Sequence, residues 1–345
     1  MSSASVSPSG AAPADLESSS AARRAIVIGA GISGLRAARG LVSRGFRVTV
    51  LDKGRAPGGR ASTRAHPEGR FDHGAQSFTA RGESFAREVL GWRARGLVAP
   101  FVGEVRGAPL DAPNAPRYVL PAGMGALAQH LAEGLDVRVD TTAEAISREG
   151  EVWRVRGKGP SSAFELESDV LVVAVPPEQA RTLLASVSFA GRELLARAES
   201  VPCWALLTVF ARTHVAEVAL YRPDDTFAWA CHDARKRGET SAREPAGETW
   251  IFHASPAFTR ENLEKSADEI VSLLAPKAAS LVRAEGAPLF ARAHRWRYGF
   301  AGVALGVEAI VDDSLRLAVC GDYCLGGRLE DAFTSGQAAA ARLSA

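Results

Sequence analysis

A glycine-rich turn near the start of the chain constrains its fold more than any other feature. The segment AIVIGAGISG places Gly29, Gly31 and Gly34 in GxGxxG spacing, after a short apolar run and before a helical pattern. The first glycine allows a tight turn, the second lets backbone approach a pyrophosphate at the helix N-terminus, and the third allows helix and strand to pack closely. The order of strand, turn and helix therefore predicts a dinucleotide-binding βαβ unit.

The residues that follow extend this nucleotide motif. Asp52 ends the next predicted strand, where a carboxylate can accept hydrogen bonds from ribose hydroxyls and disfavours a 2′-phosphate. Lys53 comes directly after it, and the segment KGRAPGGR then brings Gly59 and Arg60, whose guanidinium can neutralise a second phosphate. NAD and FAD folds share this fingerprint, so the motif alone leaves both cofactors open.

A second motif near the C-terminus separates the two cofactors. The run LAVCGD places Asp322 directly after a predicted strand, and a helix is predicted from about Asp331 to Leu343. An acid there suits the hydroxyls of a ribityl chain, and a helix N-terminus can stabilise negative charge on a flavin ring. Because an NAD enzyme would not need this distal contact, the sequence favours FAD.

Four segments together resemble the flavin amine oxidase superfamily and, within it, the renalase-like FAD-dependent oxidoreductases. They are IVIGAGISG, LDKGRAPGGRASTR, FDHGAQSFTAR and LAVCGDYCLGGRLEDAFTSGQAAA. They occur at both ends of the chain in the order that the fold requires. The resemblance covers about residues 25–345, and the middle of the chain is much less specific.

The resemblance implies a set of FAD contacts. Ser33 and Arg60 would contact the FAD phosphates, and Gln76 and Ser77 would lie against the isoalloxazine. Asp322 would hold the ribityl chain. The backbone near Phe333 and Thr334 would face the pyrimidine edge of the flavin.

The resemblance also implies an activity. Renalase-like proteins oxidise isomeric dihydro forms of NAD(P), the 2- and 6-dihydro compounds, by hydride transfer to the flavin, with O2 as acceptor and H2O2 as product. A flavin performs the difficult step itself, so a dedicated proton-transfer residue is optional. An amine oxidase or a desaturase of the same superfamily, acting on an amine or a secondary metabolite, is the alternative. A flavin-binding protein without turnover is a third hypothesis.

The predicted fold class is α/β. Strand, helix and turn patterns indicate a discontinuous Rossmann-like FAD-binding domain with an inserted α+β, antiparallel-sheet substrate domain. The FAD domain is assigned to residues 25–85, 117–184 and 291–345, and the substrate domain to 86–116 and 185–290. Residues 1–24 are rich in Ser, Ala and Pro and are predicted to be a disordered tail.

Candidate substrate-lining residues come from two strand-like runs. His253 follows the strand TWIF, in a position similar to a histidine of renalase-like proteins, although a structural histidine is the more ordinary interpretation. Trp296 and Tyr298, in HRWRY, are candidates to line a flavin face, but aromatic residues here are just as compatible with a core. The seven histidines form no metal-ligand pattern, so no metal is predicted.

Lysine usage bears on the type of oxidase. Many amine oxidases place a lysine on an inner strand, bridged by water to flavin N5. Only five of the 41 basic residues are lysines, and all five lie in polar stretches. The sequence therefore argues against a typical amine oxidase.

Composition narrows the partners and the compartment. The formal net charge is +2 and no basic block stands out, so neither nucleic acid nor anionic lipid is indicated as a partner. No run reaches the roughly 18 apolar residues of a membrane span. Four cysteines without paired spacing favour a reducing, cytoplasmic setting. The expected partners are a small-molecule substrate and O2, and the sequence leaves the oligomeric state open.

Overall fold

The computed structural model describes residues 22–107, 116–239 and 247–343. In chain order the strands of these ranges are β1 (Arg24–Ile28), β2 (Arg47–Leu51), β3 (Arg64–His66), β4 (Gly69–Phe71), β5 (Phe78–Thr79), β6 (Ala99–Pro100), β7 (Val105–Arg106), β8 (Arg117–Val119), β9 (Asp136–Arg138), β10 (Thr142–Glu149), β11 (Val152–Lys158), β12 (Ala163–Ser168), β13 (Val170–Val173), β14 (Ser200–Phe210), β15 (Ala219–Tyr221), β16 (Phe227–His232), β17 (Glu248–Ala254), β18 (Phe290–Ala301), β19 (Ile310–Asp312) and β20 (Leu317–Val319). The α-helices are α1 (Ile32–Val42), α2 (Glu83–Ala94), α3 (Gly125–Ala132), α4 (Pro177–Leu183), α5 (Arg192–Ala196), α6 (Pro256–Glu261), α7 (Ala267–Leu281) and α8 (Leu329–Leu343).

The first sheet has the order β19-β20-β13-β1-β2-β9. Its strands pair in parallel except at the edge, where β19 runs antiparallel to β20. Its central strand β13 is apolar and fully buried, as expected for a strand covered on both faces. One face packs on α1 and α8, and the other packs on the three-stranded sheet β10-β11-β12 through Ile146, Trp153 and Val155. This is the predicted α/β, Rossmann-like architecture.

The second large sheet has the order β18-β14-β17-β16-β15-β7. Its pairs are antiparallel except that β15 and β7 run in parallel. Helix α7 packs on one face, where Ile270 and Leu274 contact the core of this sheet. On the opposite face, Ala205 and Leu207 pack against Phe71 of β4, so this face turns toward the β3–β4 hairpin.

Two segments lie elsewhere than the predicted division of the chain places them. Strand β18 pairs along most of its length with β14, so residues 290–301 belong to the second sheet rather than to the FAD domain. Helix α2 buries Phe85 and Trp92 against Phe333 of α8, so it packs in the core of the first sheet rather than with the substrate domain. The remaining boundaries stay predictions.

The segment after β17 forms two separate helices, α6 and α7, because Ser266 and Glu269 form a capping box that begins α7 anew. Arg24 belongs to β1, so it is not part of the predicted tail, and residues 1–21 of that tail lie outside the described residues. Within the described ranges, no helix is long and apolar enough to cross a membrane.

Candidate cofactor and substrate site

The glycine-rich turn joins β1 to α1, and its three glycines have different surroundings. A Cβ on Gly29, whose φ is +108°, would overlap the carbonyl oxygen of Ala174, and a Cβ on Gly34 would overlap the carbonyl oxygen of Gly29. At Gly31, in contrast, a Cβ would have no heavy atom within 4 Å. The first and third glycines are therefore required by packing, whereas the second borders open space where a ligand can approach.

The N-terminus of α1 opens onto that same space. It has no side-chain cap and no acidic residue in its first turn, so its first N–H groups are left for another acceptor. Gly58 bridges to Gly31, with its N–H 2.9 Å from the Ala30 carbonyl oxygen. The turn and the GGR segment thus form one backbone cradle, and its shape and polarity fit a pyrophosphate.

Ser33 contributes less to this cradle than the resemblance implies. Its side chain is buried, and its hydroxyl faces the Cys320 thiol. The hydroxyl is thus packed under the helix, and the backbone N–H of Ser33 is the group available to a phosphate.

Asp52 lies at the carboxyl end of β2, next to the turn. Its carboxylate accepts hydrogen bonds from the N–H groups of Ala30, at 2.6 Å, and Gly54, at 2.7 Å. Each oxygen keeps lone pairs for a ribose hydroxyl, so Asp52 both fixes the turn and remains available to a ligand. Lys53 is exposed, and the structure gives it no specific contact with the site.

Arg60 and Asp322, far apart in sequence, form an ion pair. The guanidinium Nη2 of Arg60 lies 2.6 Å from Oδ1 of Asp322, and the Asp322 side chain is only 8% exposed. Asp322 begins a short 3₁₀ turn after β20, so the pair joins the ends of two separate segments of the first domain. The structure thus brings together two residues that the sequence assigns to different parts of FAD.

The turn from Asp72 to Ser77 packs directly on Arg60. A Cβ on Gly74 would overlap the Arg60 carbonyl oxygen, to which the Ala75 N–H donates at 2.9 Å. Ser77 is half-buried and accepts a hydrogen bond from Nη1 of Arg117 at 3.0 Å. Ser77 therefore lies beside Arg117, at the end of a turn that packs on Arg60.

Gln76 turns its amide into the protein. Its side chain is 7% exposed, with Nε2 donating to the Asp72 carbonyl and Oε1 accepting from Nζ of Lys236 at 3.1 Å. Both ends of the amide are thus held by protein groups, because the buried lysine takes the amide oxygen. That Gln76 lies against the isoalloxazine stays a prediction.

That lysine belongs to a buried ion cluster formed by Asp72, Asp233, Lys236 and Arg237. Nζ of Lys236 lies 2.9 Å from Asp72 and 2.6 Å from Asp233, and Arg237 contacts both carboxylates. Burial alone would raise the pKa of Asp233, but Lys236 and Arg237 hold it down to about 2. Two cations and two carboxylates thus neutralise each other in the core.

This cluster weakens the inference drawn from lysine usage. The polar stretch HDARKRG suggests an exposed lysine, yet Lys236 is fully buried behind Gln76. Its three acceptors hold it in place, so it differs from a lysine left free to bind water.

The face of the second sheet that turns toward Gly74 carries His253, Trp296 and Tyr298. Trp296 Nε1 donates to the His73 carbonyl oxygen at 2.9 Å, and His253 Nε2 lies 3.3 Å from the same oxygen. Tyr298 is half-buried two residues beyond Trp296 on β18. The structure thus gathers the three predicted lining residues on one face.

The histidines of this face are uncharged. Burial lowers the pKa of His253 to about 4, with the hydrogen bond to His73 opposing the shift and the charge of Lys236 reinforcing it. Burial likewise lowers the pKa of His73 to about 3 and that of His294 to about 4, helped in each case by nearby positive groups. At neutral pH none of the three can donate a proton as a cation.

Phe333 and Thr334 lie in the second turn of α8, because the helix begins at Leu329 rather than at Asp331. Their N–H groups belong to the regular hydrogen-bond ladder of the helix, and the Phe333 ring is buried against Phe85, Trp92 and Arg36. That this backbone faces the pyrimidine edge of a flavin stays a prediction, and its N–H groups are already engaged within the helix. The free N–H groups lie nearer Leu329 to Asp331.

Three further residues of the site escaped sequence reasoning. Arg117 lies between the rings of Phe101 and Trp229, with its guanidinium carbon 5.9 and 5.8 Å from their centroids. Burial lowers its pKa, which nearby Cys231 partly offsets. No motif marks these residues, because they come from β8, β16 and the end of β6 and meet only in the fold.

Two family models match the chain. The NAD(P)-binding Rossmann-like domain matches residues 27–89, and the flavin containing amine oxidoreductase family matches residues 95–344. A crystal structure of an Exiguobacterium protein provisionally designated a protoporphyrinogen oxidase is similar, with a TM-score of 0.73 and 13% identity, covering 93% of this chain and 98% of that one.

Similarity to curated proteins is confined to a short segment. A phytoene desaturase (neurosporene-forming) of Cereibacter sphaeroides is 53% identical over 53 residues, which is 15% of this chain and 10% of the desaturase. A hydroxyneurosporene desaturase of Rhodobacter capsulatus is 48% identical over 56 residues, 16% of this chain and 11% of that protein. The matches thus span about a tenth of the length of these relatives.

Proposed function

Because the chain belongs to the flavin containing amine oxidoreductase family, we propose that it is an FAD-dependent, renalase-like oxidase acting on isomeric dihydro forms of NAD(P). The family implies FAD as cofactor, and the chain is an oxidoreductase. When bound, FAD would supply the two-electron acceptor for a hydride from the substrate, with O2 as final acceptor and H2O2 as product.

The residues of the cradle would hold the cofactor. The N–H groups at the start of α1, together with Gly31 and Gly59, would bind the pyrophosphate, and Arg60 would neutralise it. Asp52 would accept from the adenosine ribose, and Asp322 from the ribityl chain. The Arg60–Asp322 pair holds both groups in place before the ligand arrives.

The turn from Gly74 to Ser77 and the face with His253 and Trp296 would enclose the substrate. Trp296 and Trp229 offer flat rings, and Arg117 offers a cation beside Ser77. These groups suit a small planar molecule that also carries polar substituents.

One observation carries the assignment of substrate: His73, His253, His294, Lys236 and the two thiols of this face are all poor proton acceptors at neutral pH. His73, His253 and His294 are neutral, Lys236 is paired with two carboxylates, and burial raises the pKa values of Cys203 and Cys231 to about 12. Desaturation of a hydrocarbon needs a proton removed from carbon. Loss of hydride from a dihydropyridine gives an aromatic pyridinium and requires no base, so it suits this site.

Turnover assays would test the proposal. Purified holoenzyme is mixed with 2- or 6-dihydro-NAD, with a primary amine, or with a polyene in detergent, and H2O2 is measured. The proposal expects peroxide with the dihydro compounds, at a hydride-transfer rate that does not vary between about pH 6 and 9. The proposal would be contradicted if the dihydro compounds were not oxidised while the amine gave peroxide or the polyene was oxidised.

A carotenoid-type desaturase is the second candidate. The observation that favours it is the short match to phytoene and hydroxyneurosporene desaturases. Against it stands the polar character of the face, where Arg117 and two histidines would contact a hydrocarbon.

The protein's four cysteines are free, buried thiols. This supports the proposal that the protein works in a reducing, cytoplasmic compartment.

A further inference from the structure

Strand β18 carries arginines on both faces, and the two faces differ in how their charge is neutralised. Arg295 and Arg297, on one face, pair with Glu264 at 3.1 and 2.8 Å. Arg292 lies on the other face, and within the described ranges no carboxylate is within 4.0 Å of its guanidinium. The unneutralised arginine is on the side that turns toward the first domain.

The fold places Arg292 near a second arginine without an ion-pair partner, Arg64. In the β3–β4 hairpin, Arg64 of β3 lies directly opposite Phe71 of β4. Phe71 stacks on Phe290 of β18 with centroids 5.7 Å apart, and Arg292 lies opposite Leu207, which packs on Phe71. The hairpin therefore brings the Arg64 side chain alongside the same stretch of β18.

A contact between two rings, one just after β4 and one on β18, fixes how the hairpin lies along β18. His73, two residues beyond Phe71, meets His294, two residues beyond Arg292, at a centroid distance of 4.8 Å. His73 also stacks on Trp296 at 5.1 Å. The two arginines thus lie at one end of an aromatic row whose other end, Trp296, is next to Gly74.

These arginines repel one another without local compensation. Burial lowers the pKa of Arg64, and the charges of Arg292 and Arg55 lower it further. Neither Arg55, Arg64 nor Arg292 has an ion pair or a side-chain hydrogen bond to another described residue. Grouping like charges in a partly desolvated place costs free energy, and a bound anion removes that cost.

We propose that Arg64 and Arg292, with Arg55 at the rim, bind the phosphate groups of the nucleotide substrate. This deepens the proposed function and rests on it: the reduced ring would lie over Trp296, next to the Gly74 turn, and the 5′-phosphate or pyrophosphate would reach the arginines. Guanidinium groups bind phosphate oxygens in pairs, which suits recognition at a half-exposed site.

Three substrates with the same reduced ring test the assignment: the 6-dihydro isomers of nicotinamide riboside, nicotinamide mononucleotide and NAD. In Arg292→Gln we expect KM to rise about tenfold for the two phosphate-bearing compounds and to stay unchanged for the riboside, with kcat unaltered for all three. Arg64→Gln should give the same pattern, and Arg292→Lys an intermediate one. Arg295→Gln, on the opposite face of the same strand, is the matched control and should behave like the wild type.

Pyrophosphate binding gives a readout that does not depend on turnover. Pyrophosphate should raise the Tm of the wild-type holoenzyme and compete with the mononucleotide, and Arg292→Gln should abolish both effects. The flavin content of the variant should equal that of the wild type. Loss of FAD in the variant would mean that the arginines serve the cofactor, and would overturn the proposal.

Two other results would also overturn it. One is an equal rise in KM for the riboside and the mononucleotide, and the other is no pyrophosphate binding by the wild type. Failure of the proposed function is distinguishable, because the wild type would then oxidise none of the three compounds, including the riboside that lacks phosphate.

Discussion

Arg60 and Asp322 meet at 2.6 Å although 262 residues separate them in the chain. One follows the glycine-rich turn, and the other follows the last strand of the first sheet. Their contact joins the two segments that would bind opposite halves of the cofactor. In the proposed cofactor site, this ion pair would hold both side chains in place before a ligand binds.

Replacing Asp322 with Asn tests this role. The amide keeps the shape of the carboxylate but loses its charge, so both the hold on Arg60 and the acceptor for a ribityl hydroxyl weaken. We expect FAD affinity to fall on the order of tenfold, measured by fluorescence titration of the apoprotein. Asp313→Asn, which breaks an exposed pair with Arg342 at 2.7 Å, is the control, and an equal loss of FAD in both variants would contradict this role.

The glycine-rich turn offers a sharper pair of variants. Gly31→Ala places its methyl group in open space, so the fold should be retained while the methyl obstructs the pyrophosphate. Gly34→Ala overlaps the carbonyl oxygen of Gly29 and should destabilise the fold itself. The measurements are Tm of the apoprotein and flavin content. Normal flavin content in Gly31→Ala would contradict the assigned position of the pyrophosphate.

The buried ion cluster predicts a large loss of stability. Lys236→Met leaves Asp72 and Asp233 with only Arg237 between them, and removal of one partner from a buried cluster costs about 3–5 kcal/mol. Urea denaturation at neutral pH measures this loss. Lys158→Met is the control, because Lys158 pairs with Glu144 at the surface and its removal should leave the midpoint unchanged. A Lys236→Met protein as stable as the wild type would show that the cluster is not held together as described.

The buried histidines predict acid sensitivity. The pKa values of His73 and His232 in the folded protein are about 3, and that of His253 is about 4, in each case chiefly because burial disfavours the charged imidazolium. The unfolded chain takes up these protons below about pH 6.5, where the folded protein does not. The contribution of these neutral histidines to the free energy of unfolding is therefore fully present above about pH 6.5, and it is lost as the pH drops toward 4.

Each such histidine would contribute on the order of 2 kcal/mol of destabilisation at about pH 5. Denaturant unfolding at several pH values measures how the free energy of unfolding changes with pH, which gives the number of protons taken up on unfolding. His73→Phe should reduce that number by about one. Equal stability of the wild type at pH 7 and pH 5 would contradict this prediction.

The sequence predicted the parts of the site that depend on local geometry. The turn at Gly29, Gly31 and Gly34 and the acid at Asp52 were recognisable because their spacing is set by one strand and one helix. The helix that becomes α8 was also recognisable, although its start was misplaced by two residues.

What the sequence could not show depends on partners that are distant in the chain. Lys236 lies in a polar stretch that is typical of a surface, and its burial depends on Asp72 and Gln76, from a distant segment, together with Asp233. The inward orientation of Gln76 follows from that burial. Arg64 and Arg292 become neighbours only because the β3–β4 hairpin packs on β18.

Anaerobic mixing of the purified holoenzyme with 6-dihydro-NAD tests the proposed oxidase activity most directly. Absorbance near 450 nm reports the oxidised flavin. We predict that one equivalent of the dihydro compound bleaches this band and yields one equivalent of NAD, and that air restores the band. An unchanged flavin spectrum with the dihydro compound, or a protein that purifies with NAD in place of flavin, would contradict the proposed activity.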